Sequence, residues 1–111
     1  MSDEIKATAS SGNVFADLGL KNPEERLAKA ELAVSIAATI KDRKLTQSAA
    51  AEVCGIDQPK ISKLMRGELY GFSTDQLVRF LTALGQDVEI VVSAPPRRRR
   101  NAKGKLTVRA A

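Results

Sequence analysis

Residues 45–67 read LTQSAAAEVCGIDQPKISKLMRG and carry the start and stop signals of two short helices. Thr46 and Asp57 are residue types that cap helix N-termini. Gly55 lies between the two helical stretches, where a sharp turn needs the backbone freedom of glycine. The segment therefore predicts two helices joined by a short turn, over about 47–54 and 58–66.

Two further helices are predicted on either side of this segment. Asn22 before Pro23 predicts a capped start for a helix over about 23–42. Its apolar residues recur at spacings of three and four: they are Leu27, Ala30, Val34 and Ala37, with Ala33, Ile36 and Ile40 widening the stripe. Ser73 and Gln76 form a capping box that predicts a fourth helix over about 74–84.

The C-terminal part of the chain contains a predicted β-strand. Residues 88–92 read VEIVV, which is typical of a β-strand. A lone strand leaves its backbone polar groups without partners, so we expect it to pair with the same strand of a second copy, with a partner protein, or within its own chain. The predicted domains are a disordered N-terminus (1–12), a folded domain that holds the two central helices and the strand (13–93) and a disordered basic tail (94–111).

Two helices joined by about four residues that include a glycine form a helix-turn-helix. Apolar side chains of the turn and of the second helix are expected to face inward (Ile56, Ile61 and Leu64). Its outer face is expected to be free of acids and to present donors for base edges and phosphates: Gln58, Pro59, Ser62, Lys63 and Arg66. Gln58 is the best candidate for an adenine contact, and Gln47 starts the preceding helix where a phosphate could bind.

The basic charge of the chain is concentrated in its tail. Seven of the 18 bases lie between Arg97 and Arg109, where there is no acid, so 11 bases face 13 acids elsewhere. The formal charge of +5 therefore does not by itself indicate that the folded part binds DNA. The run Arg97, Arg98, Arg99 and Arg100 is a candidate for nonspecific contact with DNA or with a partner.

The residue inventory argues against several functional classes. The chain has no His and one Cys, and it shows no metal-ligand spacing and no phosphate-binding glycine loop, so we predict neither an enzyme nor a metal or cofactor site. It also has no apolar run of the length that a membrane span requires and no secretory signal pattern, and we expect a cytoplasmic protein. Cys54 is expected to be a buried, inert thiol.

At residues 45–67 the chain resembles the XRE-type (Cro/cI-like) transcription regulators. More narrowly it is similar to HigA-like antitoxins, in which NVFADLGL precedes the motif, as at residues 13–20, and GFS and GQDVEI follow it, as at 71–73 and 85–90. This resemblance implies a homodimer that represses its own operon and neutralises a RelE/HigB-type toxin. The alternatives are a standalone repressor without a toxin and a protein that only binds a partner.

The expected fold is an all-α bundle of four to five helices with a central helix-turn-helix, plus one C-terminal β-strand that pairs in a dimer. The fifth helix would come from Val14–Leu20, which carries four apolar residues. This segment is either a short turn packed on the body or a docking segment for a partner.

Overall fold

The computed structural model describes residues 13, 15, 18–97 and 103–110, and these form four α-helices. They are α1 (Pro23–Asp42), α2 (Gln47–Cys54), α3 (Gln58–Met65) and α4 (Thr74–Ala83). The four predicted helices are confirmed, and their ends differ from the prediction by at most one residue. The predicted fifth helix falls in residues 14–20, of which Val14, Ala16 and Asp17 lie outside the described residues, so it stays a prediction. None of the helices described is both long and apolar enough to cross a bilayer.

Side-chain caps start three of the four helices where the sequence predicts them. The hydroxyl of Thr46 accepts a hydrogen bond from the N–H three residues later at 3.0 Å, and a carboxylate oxygen of Asp57 does the same at 3.1 Å. Ser73 and Gln76 form the complete capping box, with bonds of 3.1 and 2.9 Å between backbone N–H and side chain. Each cap satisfies a donor that the first helical turn leaves open, which contributes about 1 kcal/mol.

The cap predicted at Asn22 is wrong. This residue has φ 50° and ψ 53°, and its side chain makes no cap hydrogen bond. The side chain of a capping residue reaches the N–H groups of the first turn when its own backbone is extended. The backbone of Asn22 is left-handed instead, so its side chain does not cap the helix. Pro23 still begins the helix, and acidic residues follow it in the first turn, where they complement the positive end of the helix dipole.

The core is built from aliphatic side chains. α1 packs mainly against α4, and α2 mainly against α3. The largest fully buried side chains are Ile36, Ile40, Ile61, Leu64, Leu77 and Leu84. Burial of one such side chain contributes about 1.5–3 kcal/mol. Ala50 and Ala51 of α2 are also buried, so the two helices of the motif are fixed to the rest of the domain.

The stripe predicted for α1 lies partly on the wrong face. Val34 is 69% exposed, and Leu27, Ala30 and Ala37 are only half-buried. The buried residues of this helix are Ala28, Leu32, Ala33, Ile36, Thr39 and Ile40. α1 is apolar around most of its circumference, so spacing alone does not determine which face packs against α4.

The predicted strand is not formed within one chain. Residues 87–96 have no regular secondary structure, and no strand occurs among the residues that the structure describes. Ile90 is 80% exposed and Val92 is 94% exposed, so these side chains have little cover from the body. Pairing of residues 88–92 in a dimer therefore stays a prediction.

Part of the basic tail lies against the body. The N–H of Leu106 donates to a carboxylate oxygen of Glu24 at 3.3 Å, and Val108 is half-buried against the core. Residues 1–12 and 98–102 lie outside the described residues. The domain limits and the predicted disorder of the two termini stay predictions.

Candidate nucleic-acid interface

The turn between α2 and α3 has the geometry that the motif requires. Gly55 ends α2 in the left-handed conformation, with φ 75° and ψ 27°. The N–H of Ile56 then donates to the carbonyl of Ala51 at 3.0 Å, which closes the end of α2. Two residues later α3 begins behind its Asp57 cap. A β-carbon at Gly55 would meet no atom, so the requirement for glycine here is conformational and not steric.

One side of α3 is buried and the opposite side faces solvent. Ile61 is completely buried and Leu64 nearly so, which places the core on one face of the helix. At about 100° per residue, Pro59, Ser62, Lys63 and Arg66 lie on the opposite face and Gln58 lies at its edge. Gln58, Pro59, Lys63 and Arg66 are exposed, and Ser62 is half-buried. The predicted DNA-binding residues of α3 thus share one accessible surface, which we call the α3 outer face.

Gln47 and Gln58 occupy equivalent positions, each being the first residue of its helix. Gln47 is half-buried and Gln58 is exposed. Helix N-termini present open N–H groups and a positive dipole end, which together favour phosphate. The amide of Gln47 lies beside such a terminus at the start of α2.

The outer face of α3 has no acidic residue of its own, but a carboxylate from the segment after the helix contacts it. Glu68, just beyond α3, forms an ion pair with Arg66, with its Oε2 3.0 Å from Nε of the arginine. The hydrogen bond and the charge of Arg66 lower the pKa of Glu68, and the nearby Lys63 lowers it further. In turn, the hydrogen bond and the negative charge of Glu68 raise the pKa of Arg66. Sequence reasoning missed Glu68 because it lies outside the helix, although Gly67 before it indicates that the chain turns back.

Ser62 and Arg66 are also joined to each other. Nη1 of Arg66 donates to the hydroxyl oxygen of Ser62 at 2.6 Å. Of the predicted DNA-binding residues, these two are brought into direct contact, while no hydrogen bond joins Gln58 and Lys63. A duplex that approaches the α3 outer face would therefore meet a pre-arranged polar group and not only independent side chains.

The remaining candidate residues are placed as follows. Arg97 is exposed, whereas Arg98, Arg99 and Arg100 lie outside the described residues. Cys54 is half-buried, and burial raises the pKa of its thiol, which disfavours the reactive thiolate. The described residues include no group of three or more His, Cys, Asp or Glu side chains suited to a metal ion.

An open groove of about 740 Å³ lies between α1 and the segment that joins α3 to α4. Its apolar lining includes Val34, Met65, Leu69 and Tyr70. None of the predicted DNA-binding residues lines it. The groove and the α3 outer face are therefore distinct surfaces.

Comparisons with known proteins agree with this geometry. A family model described as "Helix-turn-helix domain" matches residues 14–93. A solved structure named "Putative XRE Family Transcriptional Regulator" is 45% identical in sequence, with a TM-score of 0.72, and the match covers 79% of this chain and 97% of that one. A search of curated proteins gave no match.

Proposed function

The chain belongs to the helix-turn-helix family of XRE-type regulators, and from that premise we propose that it binds operator DNA as a sequence-specific homodimer and is an antitoxin. In this role it represses its own operon and neutralises a RelE/HigB-like toxin. It acts in the cytoplasm with its DNA and is not an enzyme. The observation that carries the DNA-binding part is the exposure of the α3 outer face, held clear of the body by buried Ile61 and Leu64.

Base recognition is assigned to the start and outer face of α3. Gln58 offers an amide that suits adenine, and Lys63 offers a cation for guanine or phosphate. Ser62 adds a hydroxyl and Pro59 a compact apolar ring to this face, while Arg66 and the N-terminus of α2 with Gln47 set register on the phosphates. The test is a titration of the DNA fragment upstream of the gene against a scrambled fragment of equal length. A clear preference for the upstream fragment supports the proposal, and equal affinity for both contradicts it.

Dimerisation is assigned to residues 88–92. These residues expose apolar side chains and unpaired backbone groups, which favour pairing with the same segment of a second copy. Two copies would read half-sites about 34 Å apart. Val91→Pro removes a backbone donor, so we expect sedimentation to show a shift toward monomer, whereas Val91→Ala should stay dimeric. A Val91→Pro protein that sediments as the wild type does would exclude this interface.

The antitoxin role is supported by the resemblance at residues 13–20, 45–67 and 85–90. Leu18 is 68% exposed and Leu20 is 40% exposed, which suits a docking segment better than a packed turn. Co-expression with the neighbouring open reading frame tests the role through rescue of growth and co-purification. Rescue together with a stable complex supports it.

A standalone repressor is the second candidate, since the helix-turn-helix is common to both functions. Operator binding without any rescue or complex in the co-expression experiment would favour it. A protein that only binds a partner would rescue growth without shifting its own promoter fragment. The arginine run is assigned a nonspecific contact with DNA or with the partner.

A further inference from the structure

Three side chains at the end of the α3 outer face form a hydrogen-bonded chain. Two guanidinium nitrogens of Arg66 approach the carboxylate of Glu68, Nε at 3.0 Å from Oε2 and Nη2 at 3.5 Å from Oε1. The third nitrogen, Nη1, donates to the hydroxyl oxygen of Ser62 at 2.6 Å. The guanidinium plane is rigid, so fixing one edge of it against Glu68 fixes the direction of the nitrogen that meets Ser62.

The backbone holds Glu68 in position for this contact. Its N–H donates to the carbonyl of Lys63 at 2.9 Å, and the N–H of Gly67 donates to the carbonyl of Leu64 at 3.0 Å. Gly67 has φ 81°. This pair of bonds around a left-handed glycine is the Schellman motif, which ends a helix in a defined conformation. The carboxylate therefore approaches Arg66 from a position set by α3 itself.

The contact with Arg66 determines what Ser62 can offer to a ligand. A hydroxyl has one donor and two acceptor sites, whereas a guanidinium only donates. Arg66 therefore occupies an acceptor site of Ser62 and leaves its hydrogen free. Among the residues that the structure describes, no acceptor is recorded for that hydrogen. Ser62 thus keeps its hydrogen and one acceptor site for a ligand, and the positive charge beside its oxygen favours the role of donor on the α3 outer face.

We propose that Glu68 is a positioning residue for base recognition, which acts through Arg66 to hold the Ser62 hydroxyl as a donor toward an acceptor on a base edge. This proposal rests on the proposed function. Suitable acceptors in the major groove are guanine O6 and N7, adenine N7 and thymine O4. Ser62 lies one helical turn after Gln58, so the base pair it reads differs from the one assigned to Gln58.

A role of Glu68 in positioning Ser62 can be distinguished by experiment from a role in neutralising Arg66. If Glu68 only neutralised Arg66, its removal would strengthen binding to all DNA alike by freeing a cation for phosphate. Glu68→Ala and Glu68→Gln remove the same charge, but Gln keeps the length of the side chain and one acceptor for Arg66. The difference between these two variants therefore isolates positioning from charge. Glu52→Ala, at an exposed glutamate of α2, is the matched control for loss of a charge near the motif.

The experiment measures affinity for the operator and for every single-base-pair substitution of it, using the full chain. Ser62→Ala should lose at least about five-fold of discrimination at one base pair. Glu68→Ala should lose discrimination at the same base pair, and the double variant should lose no more than Ser62→Ala alone. Glu68→Gln should retain most of it, and Glu52→Ala should retain all of it.

Two results would overturn the inference. In the first, Glu68→Ala changes affinity for all fragments by one common factor. In the second, the losses of discrimination from Ser62→Ala and Glu68→Ala add in the double variant. Thermal unfolding of each variant identifies any that fail to fold, and Glu68→Ser, which also removes the acceptor that reaches Arg66, then replaces Glu68→Ala. Failure of the wild type to prefer its operator is a separate result. That outcome would overturn the proposed function itself.

Discussion

At the scale of single residues, the α3 outer face depends on which side chains are available to a ligand. Gln58 and Lys63 are exposed, while Ser62 already contacts Arg66, and Arg66 contacts Glu68. An ion pair between two exposed groups contributes little to stability, so Arg66 and Glu68 are held mainly by the geometry at the end of α3. The residues of this face therefore divide into free side chains and a pre-arranged group.

Gln58→Ala tests the role of a free side chain. We expect operator affinity to fall by about 1–3 kcal/mol, while affinity for random DNA stays nearly constant, because an amide that contacts a base contributes to discrimination. Fluorescence anisotropy with operator and random fragments measures both. Gln86→Ala, at an exposed glutamine outside the motif, is the control. Equal losses on the two fragments would remove Gln58 from base recognition.

At the scale of elements, the position of α3 depends on its first turn. Asp57 caps the helix with one hydrogen bond, and α3 is only eight residues long. We expect Asp57→Ala to lower the free energy of unfolding by about 1 kcal/mol, because a donor of the first turn loses its partner. Asp57→Asn keeps a capping oxygen and should stay close to the wild type. Chemical denaturation measures both, and equal stability of all three proteins would contradict the role of the cap.

The helix caps could be predicted from the sequence, whereas the buried face of α1 could not. The caps at Thr46, Asp57 and Ser73 were predictable because each signal and its partner lie within three residues. The buried face of α1 was not, because alanine, valine and isoleucine surround the helix and packing against α4 selects among them. Glu68 was missed for a related reason, since its contact with Arg66 arises from the turn at Gly67 and not from helical spacing.

At the scale of the whole molecule, charge is divided between a weakly acidic body and a basic tail. Part of that tail lies near α1, where the N–H of Leu106 meets Glu24. If the arginine run binds phosphates, changing Arg97, Arg98, Arg99 and Arg100 to Gln should flatten the plot of log affinity against log salt, by up to about 0.9 for each phosphate that is no longer neutralised. We choose substitution because truncation of the tail would also remove Val108, which packs against the core. An unchanged slope would show that the run does not touch DNA.

The proposed homodimer is a second property of the whole molecule. A single small domain buries limited surface on DNA, so specificity is expected to come from two copies on adjacent half-sites. Operator fragments with the half-sites moved apart by about five base pairs, half a helical turn, place them on opposite faces of the duplex. A dimer should then lose most of its preference for the operator, whereas independent monomers would keep it.

We propose that DNA binds at the α3 outer face. Mapping of backbone amide chemical shifts during titration with the upstream fragment shows which residues DNA contacts. We expect the largest changes at residues 58–66 and at the start of α2, with the groove between α1 and the α3–α4 segment little affected. Changes concentrated along that groove, with residues 58–66 unperturbed, would show that DNA binds elsewhere on the domain.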